Sequence, residues 1–164
     1  MQSPAAGAAL LQDLSRPEHL LVWAMRAIAL GHEDCPTLVN TFRRVCGARA
    51  EQTLQAYGVF IKYVAMTSRQ RLGVHVPGCP CVGGDEVAVV SVIAAAQSSL
   101  HDLDEAPLRA RLGGLVGREP DGALLFAAQS IARLLAASGL TLPLSAIGAD
   151  EGRAPDASPM RVLH

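Results

Sequence analysis

Apolar residues recur every three or four positions along most of this chain, and the breaks in that rhythm fall where helices stop. Ser15, Pro17 and Glu18 stand ahead of Leu20, Leu21, Trp23, Ala24, Ile28 and Leu30. An N-cap hydroxyl, a first-turn proline and an acid predict a helix start there, and Gly31 predicts its end. From Pro36 the positions Leu38, Val39, Phe42 and Val45 keep helical spacing until Gly47. A third helix is predicted over residues 50–67, with Leu54, Tyr57, Phe60, Ile61, Val64 and Ala65 on one stripe. Two more follow, a shorter one over residues 107–115 and one from Pro120 and Asp121 to Gly139. A short helix is also read over residues 3–14.

One segment departs from the two-faced pattern. Val87 to Ala96 is apolar all round apart from Ser91, the signature of a helix surrounded by others. Five of its residues are Val or Ile, which makes a strand the rival reading, but the lack of turn signals along it favours a helix. Asp85 and Glu86 place negative charge at its positive end. It is entered through His75-Val-Pro-Gly-Cys-Pro-Cys-Val-Gly-Gly-Asp-Glu86, a stiff connector rich in proline and glycine. Val74 to Val76 alternates as a strand does but is too short to stand alone.

The expected fold is therefore a single all-α domain over residues 1–148, a bundle of five to six helices with a buried central helix at about 85–100. Leu142 and Leu144 are expected against the bundle, and residues 149–164 as a flexible C-terminal tail.

With 164 residues and a half-hydrophobic composition, the chain is long enough for one real core. Only six residues are aromatic, so Ala, Leu and Val must build it. Charge nearly cancels, fourteen basic residues against fifteen acidic, which leaves no field to draw in nucleic acid or a membrane surface. No signal peptide is read in Met1 to Leu14. No apolar run reaches the length a membrane helix needs, because Arg26 interrupts the first candidate and Gln97 ends the second. A cytoplasmic protein is expected, with its four cysteines as thiols or ligands.

Four kinds of chemistry compete for the connector. His32 and Cys35 on one interhelical turn, with His75 and Cys79 on another, offer the soft ligands that zinc or iron prefers. Cys81 adds a third sulfur to the set, but Pro80 holds Cys79 extended and turns the two sulfurs apart. A thiol whose pKa is lowered by a helix N-terminus is blunted here by Asp85 and Glu86. The same acids oppose phosphate at Gly83 and Gly84, a pair that matches no nucleotide motif. Hydrolysis has no G-x-S-x-G and no oriented nucleophile, and His19 and His101 read as surface or helix-end residues. Catalytic and organic-cofactor residues are accordingly none.

The reading that remains is a non-enzymatic protein, an adaptor or regulatory subunit that contacts a protein partner or a second copy through one helical face. Trp23, Tyr57 and Tyr63 are the contact candidates. The combination Gly31-His-Glu-Asp-Cys-Pro36, Phe42 with Cys46-Gly47, Pro77-Gly-Cys79, Asp85-Glu86 and Ala94-Ala-Ala-Gln97 resembles a group of small uncharacterised helical bacterial proteins. The resemblance spans about Leu20 to Leu135. It implies a helical fold and no assigned activity, and it singles out Cys35, Cys79 and Asp85 as the positions to inspect.

Overall fold

Caps and apolar spacing set the helices close to where the sequence predicts them. The structure, a computed structural model, describes residues 9–143 and the backbone of residues 160–163. Six helices run in order: α1 (Arg16–Ala29), α2 (Pro36–Cys46), α3 (Ala50–Thr67), α4 (Gly84–Asp102), α5 (Ala106–Val116) and α6 (Gly122–Ala137). The Ser15 N–H is satisfied by the Glu18 carboxylate at 2.7 Å, and Pro17 occupies the first turn of α1. Asp121 caps α6 by accepting from the Leu124 N–H at 2.8 Å. Gly31 leaves α1 with φ of 71°, a left-handed conformation that a side chain would strain.

The apolar helix is at the centre, as its all-round pattern predicts. α4 packs against α1, α5, α6 and the short strand that precedes it, and Val89, Val90 and the run from Val92 to Gln97 are buried. Ala94, Ala95 and Ala96 lie on three sides of this helix and are all buried, so neighbouring helices approach it closely. Gln97 is buried among them with both ends of its amide used. It donates to the Leu140 carbonyl at 2.9 Å and accepts from the Leu142 N–H at 2.8 Å, which ties the segment after α6 to the core. Leu142 is buried as expected, whereas Leu144 lies outside the described residues.

α3 and α6 run antiparallel. The Arg49 guanidinium at the start of α3 donates to the Ala137 carbonyl at the end of α6, 3.2 Å away. At the other end the Tyr63 hydroxyl donates to the Asp121 carboxylate at 2.8 Å.

Two differences from expectation have a common cause. Residues 160–163, placed by the sequence pattern in a flexible tail, form β2 (Met160–Leu163), antiparallel to β1 (Leu72–His75), with Leu72 opposite Leu163 and His75 opposite Met160. Near the N-terminus a helix is expected over residues 3–14. Residues 11–13 form only a 3₁₀ turn, and residues 1–8 lie outside the described residues. Residues 9–11 instead bond to the connector, through Leu11 N–H to the Pro80 carbonyl and Val82 N–H to the Ala9 carbonyl, both 2.8 Å. Extended backbone that enters the interior must have its N–H and C=O groups paired, and distant segments supply the partners. The rest of the expected tail, residues 149–159 and 164, lies outside the described residues.

Candidate functional site

The connector between β1 and α4 is held by a buried ion pair. Pro77 and Pro80 have no N–H to offer, and Gly78 turns the chain at φ of 87°, so residues 76–83 build no regular ladder. Their inward carbonyls need donors from elsewhere. Arg26, 1 % exposed on α1, provides them: Nη1 donates to the Cys79 carbonyl at 2.7 Å and Nη2 to the Cys81 carbonyl at 2.5 Å. The same guanidinium grips Glu86 with Nε, which donates to Oε1 at 2.7 Å, and with the second hydrogen of Nη2, which reaches Oε2 at 2.9 Å.

Glu86, fully buried in the first turn of α4, collects the rest of the local donors. It accepts from the Gly83 N–H at 2.9 Å and the His75 N–H at 3.1 Å, and His75 Nδ1 stands 3.3 Å from Oε2. A Cβ on Gly83 would come within 2.9 Å of the His75 ring, so the close approach of ring and connector requires glycine there. Tyr57, expected as a contact residue, is buried instead, and its hydroxyl donates to the Leu21 carbonyl at 3.0 Å. Burial pushes that hydroxyl far above its ordinary pKa, and the negative charge of Glu86 adds to the shift. With Arg26, Glu86 and His75 sealed from solvent, the group acts as a clamp on the connector.

The four residues weighed as metal ligands have separate surroundings. His32 is exposed on the α1–α2 turn, Cys35 precedes α2, Cys79 is half-buried in the connector, and His75 faces Glu86 from β1. Among the described residues, no group of three or more His, Cys, Asp and Glu side chains is arranged to hold a metal ion. Asp85 accepts from the Gly73 N–H at 2.7 Å and fastens β1 to α4.

The cysteines differ in reactivity. The backbone N–H groups of Leu38 and Thr37 at the start of α2 hold the Cys35 thiol below its ordinary pKa, while burial pushes Cys46 up. Cys35 therefore carries the larger thiolate fraction near neutral pH. Alkylation by iodoacetamide, followed by peptide mass spectrometry, is expected to modify Cys35 well before Cys46. The Cys35 rate should level off at a lower pH than that of a free cysteine peptide.

A separate feature lies on the outside of the α3–α6 pair. Val59 is 60 % exposed, Met66 78 % and Phe126 66 %. Val59 and Met66 are seven residues apart on one face of α3, and the antiparallel ties at Arg49 and Tyr63 set Phe126 level with Val59. Between them Tyr63 is half-buried, with its hydroxyl on Asp121. The carboxylate raises the Tyr63 pKa, and the Leu124 N–H and then the tyrosine lower that of Asp121. Along this side of α6 follow Ala123, Ala127, Ser130, Leu134 and Ala137. Charge is sparse here. Lys62, one turn from both Val59 and Met66, is engaged by Glu33, and Arg133, seven residues after Phe126 on the same stripe, is the one charged residue within α6.

Neither the clamp nor this face was picked out from sequence. In the sequence Arg26 reads as a break in an apolar run and Glu86 as a helix-start acid. The available signal was a lone arginine flanked by Leu21, Val22, Met25 and Ile28, since a charge on an otherwise buried helix needs a buried partner. For the outer face, the signal is that Phe126 directly follows Leu124 and Leu125, and three consecutive residues cannot all face inward.

No protein-family model, no curated protein and no solved structure matches this chain. Among the described residues no helix is long and apolar enough to cross a membrane.

Proposed function

We propose that the protein is a non-enzymatic interaction module, an adaptor or regulatory subunit, that pairs with a second copy of itself through the outer face of α3 and α6. The observation behind this reading is the exposure of Val59, Met66 and Phe126 side by side on two antiparallel helices. Large apolar side chains grouped on a surface lose water favourably when covered. An isologous contact sets each residue of the face against its own counterparts across a two-fold axis, so a charged face would repel itself. On this one Lys62 is paired with Glu33, which leaves Arg133 as the charge each copy brings, and two such helix pairs meeting face to face make a four-helix layer.

Sedimentation equilibrium tests the reading. The wild-type chain is expected to dimerise, and Phe126→Asp and Val59→Asp are each expected to weaken the dimer by roughly 30-fold or more, the effect of losing a central anchor. In dilute, monomeric samples helical content and urea midpoint should be unchanged in both variants, because both positions are exposed. A wild-type chain that stays monomeric at high concentration, or a dimer indifferent to both substitutions, overturns it.

A further inference from the structure

A cavity of about 300 Å³ opens between the first turns of α1 and the last turns of α2. The two helices form a hairpin, which brings the start of one beside the end of the other. Arg16, His19 and Trp23 fall on one stripe of α1, and Thr41, Arg44 and Val45 on one stripe of α2, so both sets face the same space. The floor is the half-buried Trp23 with Val45, and the rim carries Arg16, His19 and Arg44, all exposed.

Three cationic or proton-bearing groups around one hollow normally attract carboxylates from the protein itself. Among the described residues none of the three makes an ion pair. The nearby acid, Glu18, points away on the buried side of α1 and is used at the helix start. Arg44 instead donates to the Thr41 hydroxyl at 3.3 Å, which draws its guanidinium along the cavity wall.

We propose that this hollow binds a small aromatic carboxylate, independently of the contact face on α3 and α6. Two guanidinium groups offer planar, paired donors that match a carboxylate, and Trp23 offers an aromatic face for a ring beside it. The volume is at the lower end for small-molecule sites, with room for one ring and its acid group.

Trp23 is the only tryptophan in the chain, so its fluorescence reports on this cavity alone. Benzoate titrated into the full chain is expected to change the emission saturably. Benzamide, which lacks the charge, and acetate, which lacks the ring, should each bind at least roughly tenfold more weakly. Arg44→Gln and Arg16→Gln, both at exposed positions, should weaken benzoate by a similar factor while leaving the circular dichroism spectrum unchanged. Absence of saturation by benzoate, equal affinity for benzamide or acetate, or indifference to both arginine substitutions overturns the proposal. A dimer that forms normally in any of these outcomes leaves the α3–α6 reading standing.

Discussion

Arg26→Met is expected to destabilise the protein by about 3–5 kcal/mol, the usual cost of stranding one member of a buried ion pair. For a chain of this length that lowers the melting temperature by on the order of 10 °C. Glu86, left without its guanidinium, would keep only the Gly83 and His75 donors, and the Cys79 and Cys81 carbonyls would lose theirs. The double replacement Arg26→Met with Glu86→Leu is more telling. A simple buried pair can often be exchanged for apolar residues at little cost. Here both partners also serve backbone groups in the connector, and each buried orphan costs about 1–3 kcal/mol. The double variant should therefore remain clearly less stable than wild type in urea unfolding. Equal stability would mean that the connector needs no clamp.

Phe60→Ala should cost about 3–5 kcal/mol, while Val59→Ala, one residue earlier, should stay within about 0.5 kcal/mol. Phe60 is completely buried and truncation leaves a cavity; Val59 is 60 % exposed and leaves none. Urea denaturation of a dilute, monomeric sample makes the comparison directly. At concentrations where copies associate, Val59→Ala should also lose the stability contributed by pairing, because a partner that binds only the folded chain raises its apparent stability. A large loss for Val59→Ala in dilute solution would place that residue in the core and remove an anchor from the proposed contact face.

The helices were legible because their causes are local. Ser15 with Glu18, Pro36, Gly47 and Asp121 act on backbone groups within a turn, and apolar spacing marks a buried face whatever covers it. The central place of α4 followed from the same rule, since Val87 to Ala96 leaves no polar side to give to water. The site was less legible. His32, Cys35, His75 and Cys79 have a plausible ligand chemistry by type and spacing, but spacing is silent on what else lies near. In the folded chain His75 faces Glu86 and Cys79 offers its carbonyl to Arg26.

Residue order alone thus determined where helices begin and end from Arg16 to Ala137, though not the helix expected over residues 3–14, and it determined which segment is innermost and that a rigid connector feeds it. Only the tertiary structure decided that Arg26 meets Glu86 sixty residues later, that residues 160–163 lie beside β1, and that Phe126 and Val59 share an exposed face. The physical reason is range. Capping and periodicity act between neighbours three or four positions apart, whereas the partner of a buried charge, an unpaired strand or an apolar side chain is chosen by whichever distant surface closes over it.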